Sequence, residues 1–172
     1  MIRGINLTIL LILLTIICNL IIQSTILPYF EIFGIVPNTA LVIVVVLALA
    51  KGRSYGGFFG ILIGLLQDVI FSLTLGVNSF IYFFVGYFIG YIENTFARDN
   101  VINPIIFTGL STIFYNGFYS LFMFFLSRNV TFIDAVKSIF SLEIVYNCIV
   151  SILVYKIFRV IFSEPKIRFN KR

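Results

Sequence analysis

The sequence has no histidine and no tryptophan, and only 11% of its 172 residues are charged. Each shortage removes a class of protein. An average soluble domain carries roughly 25% charged residues. A soluble fold this poor in charge would have to show water mostly Ile, Leu, Val and Phe, a single aggregating patch. The lack of histidine argues against a metal site and leaves no imidazole to act as a base. Cys18 and Cys148 both fall inside apolar runs and read as small hydrophobes rather than as a disulfide or metal site. Twelve Lys and Arg outnumber seven acids, but they stand in ones and twos between apolar runs until the C-terminal stretch. A phosphate-tracking face needs them clustered, so no nucleic-acid partner is expected. There is no nucleophile elbow, no zincin motif and no phosphate loop, and Asp68 is the only aspartate within an apolar run. No enzymatic activity and no cofactor are expected.

What is present is apolar: 60% of the residues are hydrophobic. About 20 such residues cross a hydrocarbon core of ~30 Å, and polar or helix-breaking residues divide the chain into six stretches of this kind. These are residues 5–27, 36–50, 55–73, 76–92, 104–126 and 138–162. The first ends at Pro28, the second at Lys51-Gly52-Arg53, and Pro104 suits the first turn of the fifth. The first stretch is longer than the apolar region of a signal peptide and no small-x-small cleavage signature closes it, so it reads as a retained helix. The second is short, and either tilts little or extends backwards through residues 30–35. The short joint between the third and fourth predicts an antiparallel hairpin. The expected fold is an all-α integral membrane protein of about six transmembrane helices, a single domain over residues 1–162 with a basic tail over 163–172.

Orientation follows from the bias of Lys and Arg toward cytoplasmic loops. With the N-terminus inside, Arg3, Lys51, Arg53, Arg98, Lys156, Arg159, Lys166, Arg168, Lys171 and Arg172 share one face, against Arg128 and Lys137 beside Asp134 on the other. Both termini are then cytoplasmic, and the tail meets anionic membrane lipid at ~1 kcal/mol per basic residue. The triplet Asn129-Val130-Thr131 matches a glycosylation sequon by chance.

The third stretch is the most informative. Gly56, Gly60 and Gly64 recur every four residues and Asp68 takes the next step, so all four share a helix face. Apolar surface gains nothing by meeting apolar surface in lipid, and helices associate where small residues let backbones approach. The third helix is therefore expected to be central and tightly packed, with a second pair, Gly86 and Gly90, on the fourth. Asp68 and Glu143 are rare acids at similar depth, and Gln67, Asn78 and Asn147 complete a candidate polar cluster opening outward. With no basic residue in the outer half of any span, these carboxyls are expected to be protonated, wet, or paired with a partner's cation.

The order Gln23-Ser24-Thr25, Pro28, Gly34-Ile35-Val36-Pro37, an aliphatic run, then Gly52, Gly56, Gly60, Gly64-Leu65-Leu66, Asp68, Gly76 and Gly86-Tyr87 through Gly90 resembles the MreD family of bacterial rod-shape-determining membrane proteins. The resemblance runs from about residue 23 to residue 90, with Asn38 standing where the family leads one to expect an acid. It implies a non-catalytic role in the cell-wall elongation machinery at the inner membrane. The implied partners are the single-span, periplasm-facing protein MreC, the MreB filament and the wall synthases, and a homodimer is left open. The family's fold is also similar to the S components of energy-coupling-factor transporters, which makes a vitamin-binding S component the alternative. Such a pocket calls for ring stacking and convergent donors, and this chain brings neither Trp nor His to it.

Overall fold

The computed structural model describes residues 2–72, 74–92, 101–126 and 141–162, with side chains from residue 9 onward. Arg98, Arg128, Asp134, Lys137, the Asn129 sequon and the basic tail lie outside the described residues, as does the start of the sixth expected span. Six α-helices are described: α1 (Ile2–Ile21), α2 (Thr39–Lys51), α3 (Arg53–Phe71), α4 (Val77–Ile92), α5 (Ile102–Phe125) and α6 (Glu143–Phe162). The helical path of α1 continues through a π turn (Ile22–Ile26) and a 3-10 turn (Leu27–Phe30) that accepts Pro28 in its first positions. Four segments are long and apolar enough to cross a membrane: Ile9–Phe30, Arg53–Phe71, Ile102–Phe125 and Glu143–Ile161.

The helices place their residues as lipid demands. On α5 the buried face carries Thr108, Ser111, Thr112, Asn116 and Ser120, while Ile106, Leu110, Phe118, Leu121 and Phe125 point outward. On α6, Val145, Ile149, Leu153 and Ile157 face out while Asn147 and Ser151 are fully buried. Polar groups sit inside because only other helices can satisfy them there, and apolar side chains face out because the surroundings are hydrocarbon.

Two expectations need correction. The central helix is α2, not α3: α2 touches each of the other five helices, and Ala40 to Ala48 are buried without a break. In contrast, α3 shows Phe58, Leu65 and Val69 on an outer face. A helix apolar all round is at home in the core of a membrane bundle or in lipid alike, so its composition did not mark it. Nor does α2 extend backwards. Residues 31–38 form a non-helical turn closed by reciprocal Ile32–Ile35 backbone hydrogen bonds, with Phe33 and Gly34 in the left-handed region. At 13 residues α2 is only about 20 Å long, short of the ~30 Å hydrocarbon core. Surrounding protein, rather than length, accommodates it.

The α3–α4 hairpin is the closest helix pairing among the described residues. A methyl group on Gly56 would lie under 3.0 Å from the Gly86 carbonyl, one on Gly60 would meet the Tyr82 backbone, and one on Gly64 the backbone of Asn78 and Ser79. Gly86 meets Gly56 in return, and Gly90 lies against Gly52 and Arg53 at the opposite end. Gly52 adopts φ 84°, which lets a single residue turn the chain from α2 into α3.

Candidate functional site

Polar side chains from all six helices gather at the end of the bundle opposite Lys51 and Arg53, where α2, α4 and α6 begin. Asp68 lies in the last turn of α3 and is fully buried. Its Oδ1 accepts the Asn78 N–H at 3.1 Å, and its Oδ2 accepts those of Gly76 at 2.9 Å and Ser79 at 3.1 Å. The first N–H groups of a helix have no intrahelical acceptor and carry the positive end of its dipole. Asp68 thus caps α4 from across the hairpin. Three backbone donors at a helix end thus meet its two oxygens. Asn78 continues the network, donating to Ser72 Oγ at 2.7 Å and accepting from the Tyr115 hydroxyl at 2.8 Å.

A second node forms around Asn38, which caps α2. Its Oδ1 accepts the Leu41 N–H at 3.1 Å and the hydroxyl of fully buried Tyr82 at 2.9 Å. The Asn38 N–H donates to Asn147 Oδ1 at 2.8 Å, and Asn147 Nδ2 donates to Thr112 Oγ1 at 3.1 Å and Glu143 Oε1 at 3.3 Å. Asn116 Nδ2 donates to the other Glu143 oxygen at 3.1 Å. Thr39 donates to Gln23 Oε1 at 3.2 Å, which ties the end of α1 to the same region. The Tyr82 and Tyr115 rings, 5.6 Å apart, join the two nodes.

Beside them opens a cavity of about 440 Å³, lined by Gln23, the 34–38 turn, Gln67, Tyr115, Asn116, Tyr119, Ser141 and Glu143. Irregular backbone at membrane depth is tolerated where it is buried in protein or lines such a space. Of the five residues expected to form an outward-opening cluster, Gln67 and Glu143 line the cavity. Asp68, Asn78 and Asn147 lie behind it, holding helices together. The glycines Gly56, Gly60, Gly64, Gly86 and Gly90 lie on the α3–α4 seam, away from the cavity.

Sequence reasoning passed over Tyr82, Thr112, Tyr115 and Asn116, and it singled out Asn38 only as a departure from the family pattern. A signal for two of them was present. Thr108, Thr112, Asn116 and Ser120 recur every four residues on α5 just as the glycines do on α3, and Glu143, Asn147 and Ser151 repeat the spacing on α6. The tyrosines carried no such mark, because an aromatic ring on an apolar helix reads the same facing lipid or core.

Residues 3–162 match the family model of the rod shape-determining protein MreD. No curated protein and no solved structure matches the chain. The match takes in all six described helices, from α1 to the end of α6. With six described helices whose polar residues turn inward, and matched over residues 3–162, this protein belongs to the MreD family of rod shape-determining membrane proteins.

Proposed function

We propose that this protein is a non-catalytic inner-membrane component of the cell-wall elongation complex, one that binds an MreC-like single-span protein and works beside the MreB filament and the wall synthases. The match of residues 3–162 to the MreD family carries this reading. The polar chemistry is consistent with it. Both Asp68 oxygens are committed to backbone N–H groups, and Asn38, Asn78 and Asn147 join one helix to another. Such groups hold a shape. Lys51 and Arg53 share the bundle end away from the cavity, in keeping with a cytoplasmic placement of that end and of both termini.

The test is co-purification. From gently solubilised membranes the protein brings down the MreC-like partner, and its depletion makes rod-shaped cells widen and round up. Depleted cells that keep their shape but require a vitamin would favour the alternative, a vitamin-binding S component. The cavity of about 440 Å³ is the observation that keeps the alternative in play. It predicts a bound vitamin after purification, together with a coupling protein and ATPases. Labelling of a cysteine placed at Ser163 from outside intact cells would overturn the orientation.

A further inference from the structure

The cavity between the 34–38 turn, α3, α5 and the start of α6 carries one acid and, among its described lining residues, no base. At about 440 Å³ it far exceeds the ~30 Å³ share of one water molecule. Its walls include Ile35, Val36, Pro37 and the Tyr115 and Tyr119 rings. Glu143 brings a carboxylate, each oxygen of which accepts a single amide N–H from Asn116 or Asn147. A carboxylate offers about four lone-pair sites, so accepting capacity remains. Gln67 is only 7% exposed, and its Oε1 has no hydrogen-bond partner among the described residues. An unsatisfied buried acceptor costs on the order of the desolvation of that group, and it stands unexplained by the fold.

The capacity left over at Glu143 and at Gln67 Oε1 is for accepting hydrogen bonds, while Ser141 Oγ, which also lines the cavity and has no partner among the described residues, can donate as well as accept. No Lys or Arg is among the described residues that line the cavity, and the described cations Lys51, Arg53, Lys156 and Arg159 sit toward the other ends of their helices. An anion would meet the Glu143 carboxylate unshielded. A cationic donor would satisfy Gln67, compensate Glu143 and rest against tyrosine rings that attract positive charge. We propose that this cavity binds an alkylammonium or alkylguanidinium group, with the cationic head on Glu143 and Gln67 and the apolar stem against Pro37, Tyr115 and Tyr119. The inference goes beyond the scaffold reading and does not depend on it, since it is tested on the purified protein alone. The shared chemistry arrives on a free amine or on an aminophospholipid headgroup.

The experiment uses the full-length protein in maltoside micelles, with n-hexylammonium as probe and 1-hexanol as its uncharged counterpart, read by thermal unfolding and calorimetric titration. Saturable binding of n-hexylammonium is expected, without a matching effect of hexanol. Glu143→Gln is expected to weaken binding about tenfold or more, as loss of a charge-assisted hydrogen bond does. Gln67→Leu is expected to weaken it severalfold, and it keeps the test alive should Glu143→Gln fail to fold. Phosphatidylethanolamine that displaces the probe identifies the lipid as source, and failure to displace identifies the free amine; either supports the site. Equal responses to hexanol and hexylammonium would overturn the proposal, as would probe affinity unchanged in both variants. It is also overturned if the probe binds only after Arg128 and Lys137 are both changed to Gln, because the chain then fills the cavity itself.

Discussion

The two helix pairs at either side of α2 are joined by opposite means. Between α3 and α4, backbone meets backbone: Gly56 against Gly86, Gly60 against Tyr82, Gly64 against Ser79, with Asp68 closing the end. Between α5 and α6, side chains do the joining, through Thr112 with Asn147, Asn116 with Glu143, and the Cys148 thiol on the Ile105 carbonyl. Lipid withdraws the hydrophobic drive that joins helices in water. What remains is close approach or hydrogen bonding, and this protein uses one on each side. A seam of backbone contacts leaves no space for a ligand, whereas a seam of polar side chains does, and the cavity lies at the second.

The difference is sharpest under substitution. Gly64→Leu and Gly60→Leu should be the most damaging changes. Overpacking typically costs about 1–3 kcal/mol, and here the obstructing atoms are backbone that cannot rotate away, so a loss of ~3 kcal/mol or more is expected. Leu65→Ala, on the outer face of the same helix, should change stability by less than ~1 kcal/mol. Folded yield and thermal unfolding in detergent decide it, and three equally mild effects would dissolve the glycine seam.

Asp68→Leu comes next. It strands three N–H groups at the start of α4, for an expected loss of about 2–3 kcal/mol, with Asp68→Asn milder because one acceptor oxygen survives. Hydrogen exchange at Gly76, Asn78 and Ser79 should rise in the Leu variant. Unchanged protection there would mean that the cap contributes nothing.

Across the other seam the effects should be smaller, since single hydrogen bonds between membrane helices contribute about 0.6–2 kcal/mol. Asn147→Leu, which removes bonds to Asn38 and Thr112, belongs at the top of that range and Thr112→Val at the bottom. If unfolding showed Asn147→Leu to be as damaging as Gly64→Leu, the contrast between the two sides would fail.

The glycine spacing of α3 was legible because a steric requirement leaves a mark in residue type: only glycine fits where another backbone passes. That Asp68 is buried could be read as well, since an acid on that face had nowhere else to go. Its partners could not, because backbone N–H groups are the same in every residue and only the turn through Gly76 brings those of α4 to it. The centrality of α2 was hidden for a related reason. Thr39 to Ala48 would look the same facing lipid as facing protein. The cavity depends on the course of residues 31–38, where Phe33 takes a left-handed conformation that its type does not announce.

The burial of α2 bears on how the chain enters the bilayer. It leaves the ribosome after α1, too short to cross a hydrocarbon core unaided, and two of the helices that enclose it, α5 and α6, follow only after residue 101. Until they arrive it confronts lipid across a mismatch of about 10 Å, which the membrane meets by thinning or the helix by waiting near the surface. The later helices α5 and α6 are therefore the ones that let α2 settle, and a chain cut short after α4 is expected to be recognised by the cell as unfinished.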